Sequence, residues 1–587
     1  MAAAAVLLAI FRSVFVFYSP AIIAAKPAIN PEKVTIWARS FAFEHDGIET
    51  SVALSGTLLF LVAVALVAWG TGRIHWKPWL IPTSAIGAIT AVILVARTRS
   101  SEFFFPTTAF ATISLAVATA AVIWVWFELR QRASQKAKRV AALAAAALAL
   151  GAIIASTPVA SLADYAYFIG PALKHLRGEP LGSIYMQYNL GGTLLFEAMM
   201  SLGWRLGQMT LVMSLILCGW FVLYWLLTRR LFGTPFLGWL CLAALFVIRF
   251  LNIRDHPAFI PQILPTRLDL WVFGMFAVDR WGVRSWKTAA VFAGVYAMDS
   301  TFGFLSAGAY GLALTVTKIA ERDWSIPWKE LLPLVLVAAW QRIVFGSFMA
   351  AAASRYLDVQ LGFLPISPSS LFWPIALLLA CAVVVFVQQR EQRSSRLGLM
   401  ICLLAVVHLT YFFGRSHDHN LLNVSGAWVF AVFLAIDQAG SWLRSRVAFA
   451  AVLIAIFVTM GFQQSAQKWT RICAAWKRGT LIEEHPIEGM VEAYRPIAHP
   501  NVFLIHLSDA YLNYRLGLPQ RGYFSPFAAN ILQDDTAKLL DEALAQKQLL
   551  ISSDPHLPEW IDSLNDNSLG LKFDVFSDGQ LFEVKRH

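Results

Sequence analysis

The sequence predicts a mostly α protein: a polytopic transmembrane helical bundle of about fifteen spans, followed by a small C-terminal α/β extracytoplasmic domain. Three observations carry this. The 587 residues are 58% hydrophobic and only 14% charged, with a mean hydropathy of +0.60, outside the range of soluble globular chains. Apolar windows of about 17 to 25 residues recur through residue 460, the length a helix needs to cross about 30 Å of hydrocarbon. Beyond about Gly461 the runs shorten, charges mix and no further span is found.

Taken in order, spans are predicted at 2–25, 52–70, 79–96, 108–128, 140–157, 207–228, 235–251, 266–281, 287–302, 303–319, 327–345, 369–387, 397–413, 421–438 and 447–462. The first run lacks the basic flank of a signal peptide and is apolar for too long, so it is kept as a span. Three units follow: a four-span N-terminal module at 1–130, a transmembrane core of about eleven spans at 140–462, and an extracytoplasmic domain at 463–587. In the last, Asn501–Leu507 and Leu549–Ser552 read as buried strands and Asp534–Gln548 as a helix with acidic residues in its first turn. Two alternating runs about Asp578-Gly579 read as a hairpin.

The net charge of +11 is not a nucleic-acid footprint. Lys and Arg concentrate in short loops such as "RQRASQKAKR", "TRRLFG", "DRWGVRSWK", "KIAERDW" and "SWLRSR", which the positive-inside rule places in the cytoplasm. The expected location is the inner (plasma) membrane, with the N-terminus cytoplasmic and the C-terminal domain outside. Five scattered cysteines, four of them inside apolar runs, imply neither a disulfide framework nor a zinc site.

Alternation puts 158–206, 252–265, 346–368 and 414–420 on the outer face, and the polar constellations of the chain fall there. Asp164 follows a span and is followed by Tyr165, Tyr167 and Tyr188. It either caps a helix or acts as a general base towards a hydroxyl. "LNIRDHPAFIPQILPTRLDL" carries Arg254, Asp255 and His256, then Arg267 and Asp269; its guanidinium groups suit an anionic lipid head or an interfacial anchor. Asp299 lies where two apolar runs meet, either at membrane depth or in an outer turn. In "YFFGRSHDHNLLN", Arg415, His417, His419 and Asn420 offer donors for a phosphate or a sugar hydroxyl. A metal site from His417, Asp418 and His419 is disfavoured, because adjacent residues do not converge on one ion.

The block "DYAYFIGPALKHLRGEPLGSIYMQYNLGG", followed by "YFFGRSHDHNLLN", resembles the integral-membrane GT-C glycosyltransferases. The resemblance implies a GT-C-like core and a polyprenyl-phosphate-linked sugar as donor. It also implies a glycan, lipid or protein as acceptor. Asp164 would match the catalytic loop carboxylate. Arg415 and His417 would match the phosphate-binding positions, with Arg254 and Arg267 as further candidates. Tyr165, Tyr188, His256, Asp299, His419 and Asn420 would contact substrate. Many members carry a paired carboxylate where this chain has Asp164-Tyr165, so no metal or other cofactor is expected; a divalent cation is not supported. One carboxylate also points to inversion. The competing expectations are a flippase or transporter for a lipid-linked substrate, a glycan ligase or polymerase, and a non-catalytic scaffold.

Overall fold

The computed structural model describes residues 42–44, 109–186, 188, 190–253, 255–356, 359–361, 370–388, 393–414, 418–439, 443–506, 508–521, 533–546, 549–552, 556–565, 569–577 and 582–587. The spans predicted at 2–25, 52–70 and 79–96, and the site candidates Arg254, Arg415 and His417, lie outside the described residues.

Each apolar window within the described residues forms helix. The first part of the chain builds α1 (Ala109–Arg132), α2 (Gln135–Ala155), α3 (Leu162–Leu176), α4 (Leu190–Ser201), α5 (Leu206–Leu231) and α6 (Pro235–Phe246). A π turn, Val247–Leu251, and a 3-10 turn, Pro261–Ile263, lead into α7 (Pro265–Leu268) and α8 (Trp271–Trp281). Then come α9 (Trp286–Met298), α10 (Phe302–Ala320), α11 (Trp328–Tyr356), α12 (Phe372–Gln388), α13 (Arg393–Gly414), α14 (Asp418–Asn423), α15 (Ser425–Gln438) and α16 (Leu443–Met460). Four stretches are long and apolar enough to cross a membrane: Gln135–Ala155, Leu206–Leu231, Phe302–Ile319 and Leu443–Met460. Pro235–Leu251, Phe372–Val383, Leu397–Phe412 and Ser425–Gln438 are apolar but shorter.

Two predicted spans are broken. The run 266–281 splits because Asp269, at φ −125°, ends α7 and turns its carboxylate inward. That leaves α8 with 11 residues, about 16 Å of helix and too short to span alone. The run 421–438 divides at Val424. Every residue from Ser425 to Asp437 in α15 is buried, so α15 is the axial helix of the bundle, apolar all round because protein surrounds it. Its neighbours are α6, α12 and α13.

Polar contacts tie the loops together. Arg284 pairs with Glu321 (2.6 Å) and Asp323 (2.7 Å), Arg230 with Asp279 (3.2 Å), and Arg444 with Glu128 (3.5 Å). Elsewhere, Ser161 N–H donates to the Phe259 carbonyl (3.2 Å) and the Tyr165 hydroxyl to the Ala258 carbonyl (2.7 Å), tying 158–206 to 252–265.

After α16 the chain continues through α17 (Phe462–Arg478), α18 (Ile487–Tyr494), β3 (Val502–Leu504), α19 (Asp509–Leu516), α20 (Gln533–Ala545), β4 (Leu549–Ser552), α21 (Leu557–Asn565), β5 (Phe573–Ser577) and β6 (Phe582–Arg586). Two short strands, β1 (Ala42–Glu44) and β2 (Val359–Leu361), pair separately and antiparallel. The larger sheet has order β3-β4-β6-β5. Strand β3 runs parallel to β4, a connection that needs a helical crossover, and α20 lies in it. Strands β5 and β6 form the expected antiparallel pair, Val575 opposite Val584.

This region is not detached from the helices before it. Ile487, Val491, Tyr494, Val502, Leu504 and Tyr511 share one buried cluster with Tyr165, Phe168, Ile169, Phe196 and Met209. Tyr514 Oη donates to the Met200 and Trp204 carbonyls at 3.1 Å each, and Leu206 N–H donates to Tyr511 Oη at 3.2 Å.

Candidate functional site

Local sequence explains how Asp164 is presented. Ser161 has extended backbone and caps α3, its Oγ accepting from Asp164 N–H at 3.4 Å. An acidic side chain in the first turn also suits the positive end of the helix dipole. The same hydroxyl donates to Asp164 Oδ2 at 2.5 Å, and the Gln262 amide donates to Oδ1. Helix α3 closes at Gly178, whose φ of +89° is the left-handed cap position that glycine takes without strain.

Gln262 sits in a 3-10 turn opened by Pro261, and Pro265 opens α7 immediately after. Proline at the first helical position fixes φ and lacks the N–H that would be left unpaired there. The two prolines therefore set a short, stiff path that carries Arg267. The Arg267 Nη1 donates to the Gln262 carbonyl at 3.1 Å. Gln262 thus holds Asp164 with its side chain and Arg267 with its backbone.

Arg267 is 5% exposed. Its Cζ lies 4.6 Å from the Tyr188 ring, 5.1 Å from Phe302 and 5.4 Å from Tyr411. Aromatic faces stabilise a guanidinium by about 0.5 to 2 kcal/mol each when desolvated. Its Nε is buried with no acceptor among the described residues, and so is Gln262 Oε1 without a donor. An orphaned buried donor on a cation is unfavourable until an acceptor arrives.

Burial raises the Asp164 carboxyl above the usual range; the bonds from Ser161 and Gln262 hold it back, and the nearby Asp255 charge pushes it up. A carboxylate with raised pKa is a stronger base, and near neutral pH that favours proton abstraction.

The structure distributes the remaining sequence candidates unevenly. Tyr188 is at the site, with its ring edge-on to Tyr167 (5.3 Å) and stacked on Phe168 (5.7 Å). Asp299 is fully buried in the turn before α10, where Oδ1 accepts from the N–H groups of Thr301 (2.9 Å) and Phe302 (2.6 Å). It thus lies in a turn between α9 and α10, and its charge acts on Arg267 nearby. His419 is exposed and Asn420 buried on α14, where Asn423 Nδ2 lies 3.5 Å from Asn420 Oδ1.

Two expectations of substrate contact meet a different placement. Tyr165 is fully buried, edge-on to Phe196, with its hydroxyl bonded to Ala258. His256 is also buried. Its Nε2 lies 3.0 Å from the Ile153 carbonyl and its Nδ1 accepts from Ala258 N–H at 3.0 Å. Burial pushes its pKa down to about 3, so at neutral pH it is an uncharged strut between α2 and the 252–265 segment.

Sequence reasoning passed over Ser161, Gln262, Tyr411 and Arg249. Ser161 had a signal, its N-cap spacing to Asp164. Arg249 had none, being one cation in an apolar run. The π turn adds a residue to the helix and directs Arg249 into the core. There it bonds Asp269 Oδ2 at 2.6 Å, joined by Tyr224 Oη (2.7 Å), while Trp271 Nε1 bonds Oδ1 (3.0 Å). Gly426 makes room for this carboxylate, since a Cβ there would lie 2.2 Å from Oδ1. The pair anchors the end of α7 and with it Arg267. Among the described residues, no three His, Cys, Asp or Glu side chains gather as metal ligands. No protein-family model matches the chain, and a search of curated proteins finds no similar sequence.

Proposed function

We propose that the protein is a GT-C-type membrane glycosyltransferase of about fifteen spans, its C-terminal domain outside the plasma membrane. It transfers a sugar from a polyprenyl-phosphate donor to a hydroxyl of a glycan, lipid or protein acceptor. Asp164 takes the acceptor proton. The acceptor oxygen attacks the anomeric carbon from the face opposite the phosphate, and the bond from that carbon to the phosphate oxygen breaks. Inversion follows, and polyprenyl phosphate leaves with the bonding electron pair. Arg267 meets the charge that grows on the phosphate, where a fixed cation in a dry site lowers the barrier most. Arg415, His417 and Arg254 are assigned to the same anion, and Tyr188 to the sugar face.

The observation that carries this reading is the Gln262 bridge between a carboxylate of raised pKa and a buried guanidinium with an unused donor. A flippase would need the cation but not the base. Asp164→Asn, reconstituted with a radiolabelled polyprenyl-phosphate sugar and acceptor, should lose transfer by at least about a hundredfold and still bind the donor. Unchanged turnover refutes the assignment of the base. Movement of donor across the bilayer without bond cleavage replaces it with transport.

A further inference from the structure

Helix α17 turns the wrong face outward for a helix in water. Trp469, Cys473 and Trp476 follow the i, i+4, i+7 spacing of one helical face. All three are exposed, Trp469 at 65% and Trp476 at 87%. The opposite choice is made on the side turned to the protein. Lys468 is buried, its Nζ donating to the Ile253 carbonyl at 2.6 Å and lying 5.7 Å from the Phe250 ring, and Ala475, two turns on, is buried with it. A surface helix of a soluble domain buries its apolar stripe and exposes its cations. Here the ammonium goes in and two indoles go out.

The setting supplies the missing solvent. Helix α17 leaves the span-length helix α16 after a single residue, Gly461, so it starts where the apolar span stops. Its final turn ends in Lys477, which is exposed, and Arg478, which lies 3.2 Å from Glu483 at the surface, and Gly479, at φ +68°, then turns the chain towards α18. Indole side chains favour the boundary between acyl chains and headgroups, and flanking cations favour anionic lipid.

We infer that α17 lies flat in the membrane interface, with the Trp469, Cys473 and Trp476 face in a leaflet containing anionic phospholipid and Lys477 and Arg478 among its headgroups. The inference stands apart from the glycosyl-transfer reading. Through the bond from Lys468 to Ile253, the helix ties the segment that carries Gln262 to the depth of the headgroups.

Cys473 provides the test. The full-length protein, labelled there with a bimane fluorophore, is reconstituted into vesicles of phosphatidylcholine alone or mixed with phosphatidylglycerol. Cys473→Ala protein treated in the same way sets the background from the other four cysteines. The expected result is quenching by shallow doxyl-labelled lipid several-fold stronger than by aqueous iodide. It should strengthen with phosphatidylglycerol and lose that increment in Lys477→Glu/Arg478→Glu protein. Stronger quenching by iodide overturns the inference, as does protection from both quenchers, which means that protein covers the face. Equal quenching in the two lipid mixtures overturns the headgroup specificity.

Discussion

Replacing Asp269 with leucine should strongly destabilise the helical bundle, because it strands a buried charge that cannot be neutralised. Asp269 and Arg249 are 1% and 2% exposed and 2.6 Å apart. Breaking such a pair by removing one partner costs about 3 to 5 kcal/mol. The Tyr224 hydroxyl and the Trp271 indole N–H lose their acceptor too, each adding about 1 kcal/mol or more. Arg249→Met should cost less: Asp269 keeps the donors of Tyr224 and Trp271 and can take up a proton, whereas an arginine cannot lose one. The double variant Arg249→Met/Asp269→Leu should recover much of the loss, giving a coupling of about 2 kcal/mol or more. Unfolding in mixed micelles, titrated with denaturing detergent, measures all four corners of the cycle. A loss below about 1 kcal/mol for Asp269→Leu, or a larger loss for Arg249→Met, refutes the buried-pair argument.

Three further outcomes follow from the site and its support. Ionised Asp164 is the active form and its pKa is raised, so transfer should fall with acidification at a higher pH than for an ordinary carboxyl; Gln262→Leu removes a bond that lowers this pKa and should move the acid limb higher still in a pH-rate profile. Arg267→Lys keeps the charge but loses the planar contact with Tyr188, Phe302 and Tyr411; donor affinity measured by competition should fall by roughly 10- to 100-fold, and an unchanged affinity would place the phosphate elsewhere. Tyr514→Phe removes the bonds to Met200 and Trp204 and should cost about 1 kcal/mol, seen as faster proteolysis between α17 and α18 with little change in donor affinity.

How much of this was legible in the residues depended on whether the signal was periodic or positional. Long apolar windows became helices, and the alternating pair around Asp578-Gly579 became β5 and β6, because burial period is written directly into side-chain type. The break of the 266–281 run was hidden, since Arg267 and Asp269 near its start also suit the polar entry of a single span. Asp164 was recognisable from its place after a span, and Ser161 from its capping distance. Gln262 was not: what matters is that its amide and its carbonyl face different partners, a property of the fold rather than of the residue. The same limit explains Tyr165 and His256. Their chemistry suits a substrate, but tertiary packing uses it for the carbonyls of Ala258 and Ile153. Helix α17 falls at the start of the extracytoplasmic domain expected at 463–587, because its composition changes while its exposed face does not become polar.

The central claim is that Asp164 is the base of a glycosyl transfer, and raised pKa gives its test a second readout. A carboxyl whose pKa is raised on folding loses stability when it ionises, so at neutral pH Asp164→Asn should melt no lower than the parent protein, and the difference should shrink as pH falls below the raised pKa and vanish only below the ordinary carboxyl range. The decisive measurement is therefore release of polyprenyl phosphate from labelled donor by Asp164→Asn in vesicles, with donor binding and melting followed on the same sample. The account predicts intact folding, donor binding near the parent level and no acceptor-dependent release; release at the parent rate by the folded variant contradicts it.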